Sequence, residues 1–187
     1  AWDISPYDNS SPNKVLNGKR ISTLSSLVNN EFVDDELVVL TTFNSIFIKT
    51  APFHFYENLF LHIFISQTIS ISSLRDKLTE MGYTKVSTVR ENNEFAVRGD
   101  IIDIFNTGKE NPVRIYLNND KIEKILFFDA LTQRNKSKLK IDNKLIIFPS
   151  SEILLSKENI EIFKKKYSSY FDIDLKNDDQ YTKILSG

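Results

Sequence analysis

Between residues 85 and 128 the hydrophobic period of the chain drops to two, and this switch constrains the fold more than any other feature. Helices repeat about every 3.6 residues and strands every two. Lys85 to Arg90, Glu94 to Arg98, Asp100 to Phe105, Pro112 to Leu117 and Lys121 to Phe128 read as short strands. Polar turns at Glu91–Asn93, Thr107–Asn111 and Asn118–Asp120 separate them. Connections this short join antiparallel neighbours, whereas parallel strands need crossovers of about a dozen residues or more. An antiparallel meander is expected.

On either side the pattern is that of an α/β protein. Lys14 to Val28 has helical spacing, weakened by Gly18. Glu36 to Thr42 is a short apolar run expected to be a buried strand. Phe43 to Lys49 reads as a short helix and Leu59 to Thr68 as a strand. Ser70 to Gly82 forms a helix with a serine cap, Leu74 and Leu78 on one face, and a glycine where the chain leaves it. After the meander comes an apolar run, Lys144 to Phe148, then a helix from about Ser156 to Phe171. The expected fold class is α/β with an inserted α+β domain built on an antiparallel sheet. Residues 1–68 and 141–187 would form the α/β part, and residues 69–140 the insert.

Composition excludes several functions. The 187 residues hold 24 Lys+Arg against 25 Asp+Glu, for a net charge of -1. That excludes a wholly basic nucleic-acid coat while leaving room for a local patch. There is no cysteine, which removes disulfides, thiol nucleophiles and thiolate metal sites. The five glycines (18, 82, 99, 108 and 187) form neither a G-x-x-x-x-G-K-[ST] loop nor a G-x-G-x-x-G turn. His54 and His62 have apolar neighbours and no third ligand at a telling spacing, so they read as half-buried histidines. Asp100 and Asp103 point to opposite faces of one strand, and solvated or turn-capping roles are expected for them. No catalytic residue, cofactor or metal site is expected. No stretch is long and apolar enough to cross a bilayer. The chain starts Ala1-Trp2-Asp3 without a signal-peptide pattern, and both ends read as cuts within a longer protein.

The insert does display a surface. In Pro112 to Leu117, alternation places Val113, Ile115 and Leu117 on one face and Arg114, Tyr116 and then Asn118 on the other. In Glu94 to Arg98, Phe95 and Val97 oppose Glu94, Ala96 and Arg98. If the apolar faces share a core, Arg98, Arg114 and Tyr116 stand together outside. Arg and Tyr are enriched among residues that dominate binding at interfaces. The competing reading is a solvated face whose charges are paired, with Glu94 and Asp103 available.

The stretch EFAVRGDIIDIFNTGKENPVRIYLNNDKIEKILFFDALTQR (Glu94 to Arg134) resembles the second domain of the transcription-repair coupling factors (Mfd). The excision nuclease subunit UvrB carries the same module. Trp2-Asp3, Pro6-Tyr7-Asp8, Ser11-Pro12 and Arg20-Ile21-Ser22-Thr23-Leu24 resemble amino-terminal motifs of the same family. The resemblance runs in order through most of residues 1–171. Mfd fits better than UvrB, because Thr42 to Leu59 is short and lacks UvrB's tyrosine-rich DNA-gripping hairpin.

The resemblance implies a partial, degenerate P-loop (RecA-like) domain around a UvrA-binding insert, in a cytoplasmic bacterial protein. It implies a non-catalytic module that recruits UvrA to stalled RNA polymerase for nucleotide excision repair. In the full-length family an ATP-driven translocase adds RNA polymerase and double-stranded DNA as partners, through motifs that lie outside this chain. Two family positions for UvrA contact fall on Arg98 and Arg114. A third, often aromatic, falls on Asn118; either Tyr116 supplies the ring here, or UvrA is bound more weakly. The family's turn glycine is replaced by Asn119, which tolerates positive φ. The alternative is a DNA-binding module of a UvrB-like helicase, using the basic run Arg134 to Lys140.

Overall fold

The computed structural model describes residues 14–29, 38–53, 56, 59–136, 143–152, 157–171 and 178–186. The chain divides into two compact units, Ala1–Glu152 and Ile153–Gly187.

In the first unit, helix α1 (Lys14–Val28) precedes a single-turn helix α2 (Phe43–Ile46) capped by the Thr42 side chain. Strand β1 (Leu61–Phe64) leads into helix α3 (Ile71–Glu80). The Ser70 side chain accepts from the Ser73 N–H at α3's start. At its end Gly82 N–H donates to Thr79 C=O and Tyr83 N–H to Leu78 C=O, with Gly82 at φ 83°. This is the paired closure of a Schellman motif, which needs the left-handed conformation that glycine adopts without cost.

Strands β2 (Thr84–Lys85), β3 (Glu94–Arg98), β4 (Ile101–Ile104), β5 (Val113–Asn118) and β6 (Lys121–Phe127) form one sheet in that order. The pairings β3–β4, β4–β5 and β5–β6 are antiparallel. Strand β7 (Lys144–Ile147) returns to pair antiparallel with β1 in a separate two-stranded sheet. The architecture is α/β, with the five-stranded sheet inserted between β1 and β7. The β5–β6 hairpin turns through Asn119 and Asp120, both at positive φ (50° and 61°), as a type I′ turn demands.

The inner face of the sheet carries Phe95, Ile102, Ile104, Val113, Ile115, Leu117, Ile122 and Ile125. They pack with Leu74 and Leu78 of α3 and with Leu61, Ile63, Leu145 and Ile147 of the small sheet, so both sheets share one core. A polar knot ties the insert to β7. The buried Tyr83 hydroxyl donates to Phe148 C=O at 2.7 Å and accepts from Thr107 N–H at 3.2 Å. Asn106 donates to Ile146 C=O and accepts from Phe148 N–H. Burial pushes the Tyr83 pKa upward, because the charged form would lose its water.

Two expected strands differ. Val38 to Thr42, the described part of the run Glu36 to Thr42, is irregular and exposed, with Leu40 at 91%. An apolar run becomes a strand only when neighbours take its hydrogen bonds, and among the described residues none pairs with it. Lys85 to Arg90 shrinks to Thr84–Lys85, which runs parallel to β3 rather than antiparallel. The sheet is therefore mixed. Val86 and Val89 instead join Ala96, Phe105 and Phe128 in a small apolar cluster.

In the second unit, α4 (Lys157–Tyr170) and α5 (Asp179–Ser186) are joined by tilted ring contacts. Phe163, Tyr167 and Tyr181 lie 4.9 to 5.8 Å apart, and the Tyr167 hydroxyl donates to Asp178 Oδ2 at 2.6 Å.

Candidate docking face

Register decides what the outer face presents. Ala96, Asp103, Arg114 and Leu126 lie in one row across β3 to β6, and Arg98, Ile101, Tyr116 and Lys124 in the next. Asn118 pairs with Lys121 beyond them. Arg98, Arg114, Tyr116 and Asn118 thus share the outer face, as alternation predicts.

They are not equivalent. Asp103 has no solvent-exposed side-chain surface, and both arginines converge on it. Arg114 makes a two-pronged contact, Nε to Oδ1 at 2.6 Å and Nη2 to Oδ2 at 2.9 Å. Its Nη1 donates to Gln133 C=O at 3.2 Å and to Asn135 Oδ1 at 3.4 Å. Its guanidinium lies 4.5 Å from the centre of the Phe128 ring, so a fully buried aromatic supports the cation from below. Hydrogen bonding to Asp103 raises the Arg114 pKa further. The Arg114 side chain is 12% exposed. Arg98 donates through Nη2 to Asp103 Oδ2, and its side chain is 47% exposed.

The rest of the face is ordered around this centre. Asn135 Nδ2 donates to the Tyr116 hydroxyl at 3.0 Å, and Lys124 Nζ lies 4.5 Å from that ring's centre. Asn118 donates to Glu123 Oε1 at 2.8 Å. The 129–135 turn is held by Asp129 Oδ1, which accepts from the N–H groups of Leu131 and Thr132.

Asp103 is a buried ion-pair centre, not the solvated or turn-capping carboxylate expected of it; the pairing itself is the one the competing reading of the face allows. Counting back from the two-residue turn Gly99–Asp100 puts Asp103 opposite Ala96 and beside Arg114, a signal already present in the sequence. Lys124, Phe128, Gln133 and Asn135 were also not anticipated. No comparable signal exists for the last two, whose contacts depend on the path of a loop.

Residues 61–153 match the family model of the UvrB interaction domain. Along its whole length the chain is similar to transcription-repair-coupling factors. It is 32% identical over 187 residues to that of Rickettsia bellii, covering all of this chain and 16% of the relative. That of Borreliella burgdorferi is 40% identical over 120 residues, 63% of this chain and 9% of the relative. The UvrABC system protein B of Kosmotoga olearia is 28% identical over 173 residues, 92% of this chain and 25% of the relative. The chain thus spans a quarter or less of the length of these relatives. The outer face of β3 to β6 lies wholly within the matched residues.

His62 is half-buried, and burial together with Lys144 lowers its pKa; His54 lies outside the described residues. Of the basic run Arg134 to Lys140, only Arg134 to Lys136 is described, and Lys136 is bound to Asn111 and Asp129. Among the described residues no three His, Asp or Glu side chains gather as metal ligands, and no helix is long and apolar enough to cross a membrane.

Proposed function

We propose that this chain is the non-catalytic docking module of a transcription-repair coupling factor, and that it takes UvrA on the outer face of β3 to β6. In that reading residues 69–140 are the docking insert, and residues 1–68 and 141–187 are the degenerate α/β domain that carries it. The module brings UvrA, and with it nucleotide excision repair, to an RNA polymerase stalled in the bacterial cytoplasm. Contacts with the polymerase and with duplex DNA fall to other parts of the full-length protein. One observation carries the proposal: inside the residues that match the UvrB interaction domain, a half-exposed Arg98 side chain is held by a fully buried carboxylate. A cation held in one geometry loses little entropy on binding, and arginines so placed are frequent hot spots.

The test is a titration of the chain against purified UvrA, beside Arg98→Ala. Truncation of a hot-spot arginine is expected to weaken binding about thirtyfold. Equal affinity for the two chains, or no binding by either, refutes the proposal.

A further inference from the structure

Resting on the docking reading above, we infer that Arg98 is the arginine that touches the partner, and that Asp103 and Arg114 are positioning residues acting through it. A guanidinium has five N–H donors. Four of Arg114's are committed: Nε and Nη2 to Asp103, and both Nη1 hydrogens toward Gln133 C=O and Asn135 Oδ1. The group also rests on the Phe128 ring and is 12% exposed. To reach a partner it would have to leave a carboxylate with no access to water, and an uncompensated buried charge is strongly unfavourable.

Arg98 is the reverse case. A single donor, Nη2, is engaged with Asp103, and nearly half of the side chain is open to solvent. The remaining donors form a rigid fork suited to planar acceptors. Asp103 can hold both arginines because a carboxylate offers about four acceptor positions. Arg114 takes both oxygens, and Arg98 shares Oδ2. Arg114 thereby fixes the carboxylate plane, and the carboxylate fixes Arg98. Two cations on one anion leave a surplus positive charge, placed at the exposed end.

Arg114→Lys tests this division, because lysine keeps the charge and loses the fork. Affinity for purified UvrA is measured for the unmutated chain, Arg98→Ala, Arg114→Lys and the double variant. Arg114→Lys is expected to weaken binding about tenfold by itself, one order in Kd, and to add nothing in the Arg98→Ala background. Residues that act through one another show this non-additivity, and independent ones do not. A merely structural role would weaken both backgrounds alike. Losses that add, or an Arg114→Lys chain that binds as tightly as the unmutated one while Arg98→Ala does not, overturn the inference and leave the docking reading intact. Failure of the unmutated chain to bind overturns both.

If Arg114→Lys does not fold, phenylglyoxal labelling of the unmutated chain followed by mass spectrometry puts the same question. Arg98 is expected to react and to be protected by UvrA, while Arg114 stays unreactive with or without it. An Arg114 that reacts in the free chain and is protected in the complex overturns the inference.

Discussion

Asp103 and its two arginines illustrate how differently one ion pair can count for stability and for binding. Asp103 is fully buried and Arg114 nearly so, so removing the carboxylate leaves a cation unpaired out of water. Asp103→Ala is expected to cost about 3 kcal/mol, the low end for breaking a buried pair. Arg98 is half in solvent, where ion pairs contribute at most about 1 kcal/mol, so Arg98→Ala should cost less than that. Urea unfolding of the two variants measures both, and equal losses would contradict this assignment. An arginine that adds little to stability yet is held in one geometry is consistent with a role in binding. His62 supplies a pH dependence with a definite sign. Its pKa is lowered from about 6.5 by burial and by Lys144. The unfolded chain then takes the proton first, so the His62 contribution is present above pH 6.5 and is lost as pH falls from there through the folded-state pKa. The melting temperature should decline between pH 7 and pH 5.5, with a shallower decline in His62→Gln; parallel curves would exclude His62 as the cause.

At the scale of elements, α1 meets the β4–β5 loop at a contact that only glycine permits. Gly108 has φ +66°, and a Cβ there would lie 2.5 Å from the Gly18 carbonyl oxygen and 2.7 Å from Ser22 Cβ. Gly108→Ala therefore meets both left-handed strain and a backbone clash, and should destabilise by about 3 kcal/mol. Gly18→Ala should cost less: its Cβ would lie 3.2 Å from Gly108 N, and alanine is the better helix former by about 1 kcal/mol. Thermal melts of both variants give the order, and the reverse order would show that α1 does not sit on this loop. Gly18 weakens the helix on propensity alone, and the reason for its presence appears only once Gly108 is seen against it. The same limit explains what else the sequence left unread. Ser70, Gly82 and the Asn119–Asp120 turn act within a few residues of themselves, so α3 and the β5–β6 hairpin were legible. The state of Val38 to Leu40 and of Val86 to Val89 depends on which distant strand pairs with them. For the candidate site, alternation found the face, and register was needed to find Asp103 beneath it.

At the scale of the whole molecule, burial is unevenly distributed, and local stability should follow it. Phe95, Ile102, Ile104, Ile115 and Ile122 are wholly buried in the five-stranded sheet. Between residues 38 and 53, by contrast, Val38, Val39, Leu40, Phe43, Ile46, Phe47 and Phe53 are all more than half exposed. Helix α4 contains no buried residue, and among the described residues of its unit the rings of Phe163, Tyr167, Phe171 and Tyr181 lie against one another. Edge and tilted ring pairs add about 0.5–1.5 kcal/mol each beyond the area they bury, which falls short of a cooperative core. Each region should therefore open with its own free energy. Hydrogen–deuterium exchange on the full chain is expected to show three tiers. Amides of β3, β4 and β5 should exchange slowest, at the rate of global unfolding. Those of α4 should exchange through sub-global opening, and those of 38–42, which lie outside any helix or strand, should exchange fastest. Adding Tyr167→Ala should speed exchange in α4 without altering β3 to β5. Acceleration of β3 to β5 by the same substitution would show that the two units unfold as one, and would contradict a docking sheet whose stability is its own.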